Sequence, residues 1–202
     1  MNLFHSSNKS NNLLPFDGEV YYYGVIFTAD QTKDYMDKLL RTIEWKNDEA
    51  ILFGKHITTK RKVAWYGDSR YSYTYSKTTK DALPWTLDLI EIKSYVEKRL
   101  QHNFNSCLLN LYHNGKEGMA YHSDDEKSLE KNGIIASLSF GAERKFSFRH
   151  KRTKETIHIY LEAGSLLTMG GSTQTNWLHS LPTTQKIRKP RINLTFRNIN
   201  SV

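Results

Sequence analysis

The spacing of apolar residues along the chain changes at about residue 106. Before this point, apolar residues recur every three or four positions in two stretches, which is typical of helices that bury one face. The first predicted helix follows Thr28, because Thr28 and Gln31 have the spacing of a capping box. The second is predicted to begin at Pro84, a favourable first helical residue, and to cover one face of a sheet.

From residue 106 onward the apolar residues recur with a period of two. The short segments are separated by Asn-Gly, Gly-Ala, Gly-Gly and Pro, as in β-strands joined by tight turns. They are too numerous and too closely spaced for a parallel sheet with helical crossovers, so we expect two β-sheets with helices packed outside. The predicted strands are 106–112, 134–140, 144–149, 156–161, 165–169, 175–180 and 190–197.

The size and composition of the chain indicate one ordinary domain, since 38% of its 202 residues are apolar and 25% are charged. Residues 1–15 are mostly polar and are predicted to form a flexible N-terminal arm, which leaves residues 16–202 as a single domain. No apolar run reaches the ~20 residues that a bilayer requires, so we expect no membrane segment. Cys107 is the only cysteine, which excludes an intrachain disulfide and agrees with an intracellular location.

Positive charge dominates the chain, with 29 Lys and Arg residues against 21 Asp and Glu and a net charge of +8. This excess favours a polyanionic partner, and nucleic acid is the first candidate. Residues 143–154 contain six Lys or Arg and one Glu, and residues 55–62 contain Lys55, Lys60, Arg61 and Lys62. Two such segments could contact the phosphates of a duplex, although a solvated basic face without a partner explains them as well.

Candidate metal ligands stand two positions apart at His122 and Asp124. Residues i and i+2 of an extended segment face the same side, so one imidazole and one carboxylate can meet at a single point. His179 could supply a third ligand from a distant strand. Two His and one carboxylate leave open the positions that non-haem Fe(II) needs for a bidentate cosubstrate and O₂. A hydrogen-bonded turn is the alternative explanation for His122 and Asp124.

The predicted strand 190–197 alternates strictly between apolar and polar residues, and the predicted strand 106–112 behaves likewise, with Cys107, Leu109 and Leu111 on one face and Asn110 and Tyr112 on the other. Each therefore has one core face and one polar face, which could meet one ligand. A 2-oxoglutarate cosubstrate needs a fixed cation for its distal carboxylate, and Arg191 and Arg197 are the candidates. A strand that lines a solvated groove would show the same alternation. The polar positions are Arg191, Asn193, Thr195 and Arg197 on one strand, and Asn110 and Tyr112 on the other.

The order of these motifs resembles that of the AlkB-like Fe(II)- and 2-oxoglutarate-dependent dioxygenases, which are oxidative nucleic-acid demethylases. The resemblance extends from Asn110 to Arg197 and includes ASLSFGA at 136–142, FRHK at 148–151, GSLL at 164–167 and WLHSLP at 177–182. It implies a mainly β fold with flanking helices, in which residues 106–202 form a double-stranded β-helix of the jelly-roll, cupin-like type. Residues 16–105 would then supply helices and a nucleotide-recognition lid.

The resemblance also implies the role of each site residue. His122, Asp124 and His179 would be the catalytic iron ligands. The implied reaction uses Fe(II), 2-oxoglutarate and O₂ to demethylate bases of the 1-methyladenine and 3-methylcytosine type in DNA, and it releases succinate, CO₂ and formaldehyde. The residues that would hold 2-oxoglutarate are Asn110, Tyr112, Arg191, Thr195 and Arg197, with Asn193 beside it.

Two upstream segments resemble parts of the family that contact substrate. YGD at 66–68 and YTY at 73–75 are similar to the recognition lid, where an extruded base is sandwiched between an aromatic ring and the imidazole of an iron ligand. LFGK at 52–55 is similar to a hairpin of the duplex-acting branch that wedges an aromatic side chain into the gap. Aromatic cross-strand packing and burial in the core are the structural alternatives. The predicted substrate contacts are Phe53, Gly54, Lys55, Tyr73, Thr74 and Tyr75.

Asp125 and Glu126 place extra negative charge directly after the metal motif. Bases methylated at a ring nitrogen used in pairing are cationic, and a nearby carboxylate favours them over neutral bases. Asp125 is the predicted contact by its position in the family. A solvated acidic turn is the alternative.

The same motifs are compatible with other functions. An RNA demethylase or another 2-oxoglutarate-dependent hydroxylase would keep the same iron site, and a non-catalytic nucleic-acid-binding β-barrel ranks last because all three ligands are present. We expect a monomer without an obligate protein partner. It would act in the cytoplasm, at the nucleoid, if bacterial, and in the nucleus if eukaryotic.

Overall fold

The computed structural model describes residues 11–52, 55–75 and 78–200, and for residues 50–52, 55–57, 73–75 and 78–80 it describes the backbone alone. In chain order the elements are β1 (Glu19–Val25), α1 (Ala29–Thr42), β2 (Lys46–Leu52), β3 (Lys55–Gly67), β4 (Ser72–Tyr75), β5 (Thr78–Asp81), β6 (Leu83–Pro84), α2 (Leu87–Leu100), β7 (Ser106–Tyr112), β8 (Met119–His122), β9 (Ile135–Gly141), β10 (Arg144–His150), β11 (Thr156–Leu161), β12 (Ser165–Gly170), α3 (Thr173–Asn176), β13 (Trp177–Leu181) and β14 (Arg191–Arg197).

Antiparallel pairing arranges most of these strands in two sheets. The larger sheet has the order β1-β12-β9-β14-β7-β3-β2, with β6 parallel to β3 at its side. The smaller sheet has the order β11-β10-β13-β8, and β4 and β5 form a separate hairpin. Apart from the consecutive pairs β2–β3 and β10–β11, neighbours in these two sheets are not consecutive in sequence, as in a double-stranded β-helix. The predicted mainly β architecture with flanking helices is therefore present.

Two apolar layers hold the sheets and helices together. One lies between the sheets, where Phe148, Leu167 and Trp177 are fully buried. The other lies between the larger sheet and the two long helices and includes Leu39 of α1 and Ile92 of α2. Alternate residues of β14 belong to the helix-side layer, so the remaining side chains of this strand face the gap between the sheets.

The first helix begins where the sequence predicts, and the second does not. The backbone N–H of Thr28 donates to Gln31 Oε1 at 3.0 Å, and the Gln31 N–H donates to Thr28 Oγ1 at 3.2 Å, which completes the capping box of α1. The predicted start at Pro84 is wrong, because Pro84 belongs to β6 and pairs with Gly67. Thr86 is the N-cap of α2 and accepts a hydrogen bond from the Leu89 N–H.

Residues 16–105 contribute more strand than the sequence analysis predicts. Among the described residues of this segment, β1 to β6 accompany α1 and α2, and four of these strands, β1, β2, β3 and β6, belong to the larger sheet. The polar residues of β3 obscure its pattern, since Lys60, Arg61 and Lys62 are consecutive. In the C-terminal half, the short strand β8 was not predicted, and the predicted strand 175–180 begins only at Trp177 because α3 precedes it.

The predicted flexible arm at residues 1–15 is wrong at its C-terminal end. Leu14 is 2% exposed and packs in the layer between the sheets. The backbone N–H of Leu13 donates to the carbonyl of Val20 at 2.8 Å, and the Asn12 side chain accepts from Val20 N–H at 2.9 Å. The chain is thus docked from about residue 12, and residues 1–10 lie outside the described residues. None of the described helices is long and apolar enough to cross a membrane.

Candidate active site

Three elements of the smaller sheet bring the predicted metal ligands together. His122 is the last residue of β8 and pairs in register with His179 of β13. The chain leaves the sheet after His122, and Asp124 stands in the following loop. His179 pairs on its other side with Phe148 of β10, so the centre of the sheet fixes its position. Strand pairing thus joins two ligands that are 57 positions apart in sequence.

The donor atoms of the three side chains surround one point. His122 Nε2 and His179 Nε2 each lie 3.7 Å from Asp124 Oδ1, and all the candidate ligand atoms lie within 4.8 Å of one another. Two ligands that each lie about 2.1 Å from an ion can be at most about 4.2 Å apart, so 3.7 Å suits a shared metal ion. This donor set fits ferrous iron with adjacent positions left open.

The orientation of His122 leaves the correct nitrogen available. Its Nδ1 lies 2.9 Å from the carbonyl oxygen of Ala120, which can only accept a hydrogen bond. Nδ1 therefore carries the proton, and Nε2 presents its lone pair towards Asp124 and His179.

Electrostatic interactions and burial keep Asp124 and His179 in the protonation states that bind a metal. Burial of the Asp124 carboxyl opposes its ionisation, but Arg197 and the two imidazoles outweigh this effect and hold the pKa of Asp124 below its usual value. Arg197 Nη1 lies 3.6 Å from Asp124 Oδ2. Burial lowers the pKa of His179 to about 4, against the opposite effect of Asp124. At neutral pH the site thus contains a carboxylate and a neutral His179 imidazole.

The polar face of β14 forms a chain of hydrogen bonds along the cavity. The Arg191 Nη2 group donates to Asn193 Oδ1 at 2.8 Å, and Asn193 Nδ2 donates to Thr195 Oγ1 at 2.8 Å. Ser137 and Ser139 of β9 reinforce this chain, because Ser137 donates to Asn193 and Ser139 accepts from Arg191. The predicted polar residues of β7 and β14 all line the same cavity: Asn110, Tyr112, Arg191, Asn193, Thr195 and Arg197.

The two candidate arginines of β14 differ in their partners. Arg197 faces the carboxylates of Asp124 and Glu126, at 3.6 and 3.7 Å. Arg191 is 2% exposed and hydrogen-bonds only neutral groups, and it forms no ion pair in the described part of the chain. Its guanidinium lies 5.8 Å from the ring centroid of Tyr112, and burial lowers its pKa to about 10, although Tyr112 opposes this shift.

A buried cation without a counter-charge is costly, and an anionic ligand would relieve that cost. Arg191 and Tyr112 therefore fit the distal carboxylate of 2-oxoglutarate, whereas Arg197 lies beside the candidate metal ligand Asp124. Both arginines lie on the same face of one strand, so the sequence pattern alone does not distinguish them as partners of the distal carboxylate.

Of the two acidic residues after the metal motif, the structure places the second at the cavity. Glu126 lines the cavity, and its Oε2 is buried without a hydrogen-bond partner among the described residues. Asp125, the predicted substrate contact, is exposed and is not part of the cavity wall. The spacing of two that joins His122 to Asp124 continues to Glu126, and this signal could have identified it.

The basic segments are less available to phosphate than their sequences suggest. Arg144 is 1% exposed and donates to the backbone carbonyls of Glu117 and Pro182, both at 2.9 Å. Arg61 forms a hydrogen-bonded ion pair with Asp48, and its guanidinium lies 5.9 Å from the Tyr112 ring centroid. The guanidinium groups of these two residues therefore bind groups of the protein itself, and neither belongs to an exposed basic face.

The predicted contacts to an extruded base stay predictions. Tyr73, Thr74 and Tyr75 form β4, which pairs with β5, but their side chains lie outside the described residues. Lys55 begins β3 and pairs with Leu52, so these residues belong to the hairpin of β2 and β3. Phe53 and Gly54 themselves are outside the described residues.

Comparison with known proteins gives consistent matches. Residues 19–197 match the 2OG-Fe(II) oxygenase superfamily. Alpha-ketoglutarate-dependent dioxygenase alkB homolog 3 of Bos taurus is 42% identical over 173 residues, or 81% of this chain and 60% of the relative. DNA oxidative demethylase ALKBH2 of Homo sapiens is 36% identical over 206 residues, or 96% of this chain and 79% of the relative.

The similarity also has a measurable extent in chain length and in three-dimensional structure. The chain spans about 60% of the length of the alkB homolog 3 proteins. The solved structure of OsALKBH1 has a TM-score of 0.61 at 15% identity, covers 92% of this chain and 98% of its own, and confirms the fold class alone. On the superfamily match and the similarity to ALKBH2, this chain belongs to the 2OG-Fe(II) oxygenase superfamily as an AlkB-like member, with Fe(II), 2-oxoglutarate and O₂ as cofactor and cosubstrates.

Proposed function

We propose that this protein is an oxidative demethylase that repairs N-alkylated bases in DNA by direct reversal. The observation that carries the proposal is the convergence of His122, Asp124 and His179 at a cavity that also contains the buried cation Arg191, which has no ion-pair partner among the described residues. The similarity to DNA oxidative demethylase ALKBH2 of Homo sapiens, which covers 79% of that protein, favours DNA as the substrate.

Different residues of the site would bind the iron and 2-oxoglutarate. His122, Asp124 and His179 would hold the iron, and Arg191 with Tyr112 would bind the distal carboxylate of 2-oxoglutarate. When bound, iron and 2-oxoglutarate supply an O₂-dependent hydroxylation of the N-methyl carbon with release of succinate and CO₂, after which the N-hydroxymethyl group leaves as formaldehyde. Arg197 keeps the Asp124 carboxylate ionised and oriented throughout.

The size of the cavity agrees with a macromolecular substrate. Its volume is about 1730 Å³, which exceeds the roughly 300–1000 Å³ of a typical small-molecule pocket. The cavity extends from the candidate metal ligands to Trp65 and Asp68, close to the hairpin of β4 and β5, which is the predicted recognition lid. There is therefore room for a nucleotide beside 2-oxoglutarate, as the extrusion of a base from its stack requires.

Glu126 is suited to select cationic bases. Its carboxylate lines the cavity two residues beyond the metal ligand Asp124, and one of its oxygens is buried without a partner in the described residues. A base methylated at a pairing nitrogen carries a positive charge, which this carboxylate would stabilise, whereas a normal base is neutral. We therefore assign to Glu126 the role that sequence analysis gave to Asp125.

The Glu126→Gln variant should lose its preference for charged lesions. We expect kcat/KM on 1-methyladenine and 3-methylcytosine oligonucleotides to fall roughly 10- to 100-fold, because a charge interaction at short range disappears. Activity on the neutral lesion 3-methylthymine should change little. Formaldehyde release from matched oligonucleotides measures both values. Equal losses on charged and neutral lesions would argue against charge selection.

The hairpin of β2 and β3 provides a test of duplex specificity. If Phe53 fills the gap left by an extruded base, Phe53→Ala should lower kcat/KM on a duplex by about tenfold or more, since stacking of an aromatic ring on a base contributes about 1–3 kcal/mol. A single strand has no gap to fill and should be affected far less. A comparison of the two substrates at equal lesion and length decides this role, which fails if both losses are the same.

An RNA demethylase is the second candidate, because the residues described at the cavity do not distinguish ribose from deoxyribose. Four oligonucleotides with one 1-methyladenine test the choice: single-stranded and duplex DNA, and single-stranded and duplex RNA. The proposal predicts most formaldehyde from DNA. A higher kcat/KM on RNA than on DNA would identify RNA as the substrate. If none of the four oligonucleotides releases formaldehyde, nucleic-acid demethylation is refuted.

A further inference from the structure

The metal ligand Asp124 requires support that strand pairing does not give. It lies in the loop after β8, whereas His122 and His179 belong to paired strands. Ligands of a catalytic metal must be held within about 0.5 Å of their working positions. The backbone N–H of Asp124 donates to the side-chain oxygen Oε1 of Gln174 at 2.9 Å.

Gln174 is well placed to give this support. It lies in the short helix α3, between the buried strand β12 and the ligand strand β13. Its Nε2 group donates to the sulfur of Met169 at 3.6 Å, and Met169 is 2% exposed. Because the amide nitrogen is directed at the core, the amide oxygen faces the Asp124 loop.

Lys151 connects the same two segments. Its Nζ group donates to the hydroxyl of Ser123 at 3.1 Å and to the backbone carbonyl of Gln174 at 2.8 Å. Its backbone N–H donates to the carbonyl of Asn176 at 2.7 Å. The ammonium group of Lys151 therefore binds oxygens of the Asp124 loop and of α3. Its position within the basic segment 143–154 would instead suggest a contact with phosphate.

The combined network reaches both sides of the metal site. Gln174 and Lys151 hold the loop that carries Asp124, and Asn176 at the end of α3 directly precedes the strand that carries His179. We propose that Gln174 and Lys151 are positioning residues for the iron site, which set the location of the Asp124 carboxylate relative to His179. The inference depends on metal binding alone and is independent of the substrate.

This assignment separates Lys151 from its basic neighbours. Arg152 and Lys154 are exposed, whereas Lys151 is half-buried. A lysine that contacts phosphate would affect nucleic-acid binding, whereas a lysine that positions the Asp124 loop affects the metal in the absence of nucleic acid. Arg152 is thus a matched control, because it is the next residue in the chain and has the same charge.

The test measures metal affinity without turnover. Mn(II), which is not oxidised during the measurement, is titrated into the full-length metal-free protein with 2-oxoglutarate present, and free Mn(II) is followed by electron paramagnetic resonance. We expect Gln174→Ala and Lys151→Met to weaken Mn(II) binding by about 10- to 100-fold, as loss of groups that orient ligands commonly does. Arg152→Met should bind within about twofold of the wild type.

A rescue variant and a folding measurement separate positioning from structure. Gln174→Glu keeps an oxygen acceptor for the Asp124 N–H and should recover most of the lost affinity. Circular dichroism and thermal unfolding of each metal-free variant report the folded fraction. If Gln174→Ala does not fold, Lys151→Met decides the question. The proposal is overturned if folded variants bind Mn(II) as tightly as the wild type, or if affinity falls only in proportion to the folded fraction.

Discussion

Asp124→Ala should abolish the turnover of 2-oxoglutarate while the metal-free protein stays folded. The variant loses the only carboxylate of the ligand set, and a bound metal contributes several kcal/mol to reactions of this kind, so the rate should fall by about 10³-fold or more. Arg197 keeps Glu126 as a second counter-charge at 3.7 Å, so it is not left as an isolated buried cation. We therefore expect the free energy of unfolding to fall by about 1–3 kcal/mol, a minor part of a typical total.

Two measurements test this expectation. Succinate formation with saturating Fe(II) gives the rate, and urea unfolding of the metal-free protein gives the stability. Asp37→Ala, at an exposed position of α1, is the control and should retain both values. Substantial succinate formation by Asp124→Ala would remove Asp124 from the ligand set. Global unfolding of the variant would instead make Asp124 a structural residue.

Arg191→Met should raise the KM for 2-oxoglutarate by about 100-fold or more, because a buried charged hydrogen-bond partner of the distal carboxylate contributes about 2–5 kcal/mol. Arg191→Lys should recover only part of this loss, since an ammonium lacks the planar fork of a guanidinium. Steady-state succinate formation over a range of 2-oxoglutarate concentrations measures the KM. An unchanged KM in Arg191→Met would assign the distal carboxylate to another group.

The same variant, Arg191→Met, should make the ligand-free protein more stable, although it weakens the binding of 2-oxoglutarate. Arg191 is buried beside neutral groups, and removal of such an uncompensated charge is expected to stabilise the metal-free, cosubstrate-free fold by roughly 1–3 kcal/mol. A residue that costs stability but binds cosubstrate is typical of a functional site. Urea unfolding without 2-oxoglutarate tests this sign, and a large destabilisation by Arg191→Met would indicate a structural role.

The candidate metal ligands that the structure brings together were predictable from sequence because their signal is local and chemical. His122 and Asp124 are two positions apart, and residue types that bind iron are few, so spacing and chemistry restrict the choice. The strict alternation around Arg191 likewise predicted the face of β14 that lines the cavity. The distant partner His179 was predictable mainly through the order of motifs, because no local rule states that β8 and β13 pair.

Features that depend on packing were not predictable in this way. The charge of Lys151 indicated phosphate, but its hydrogen bonds to Ser123 and Gln174 depend on how α3 approaches the loop after β8. The burial of Arg144 and the ion pair of Arg61 likewise depend on neighbouring backbone that is remote in sequence. The start of α2 was misplaced for a similar reason, because the pairing of Pro84 with Gly67 overrides the preference of proline for a first helical turn.

The most direct test of the account is a product balance on one defined lesion. The protein is incubated with Fe(II), O₂, 2-oxoglutarate and a DNA oligonucleotide that contains a single 1-methyladenine, and succinate, formaldehyde and the restored adenine are quantified together by mass spectrometry. The account predicts formaldehyde and adenine in equal amounts, with succinate at least equal to them, and none of the three from Asp124→Ala. Succinate without formaldehyde or adenine from the wild-type protein would contradict it.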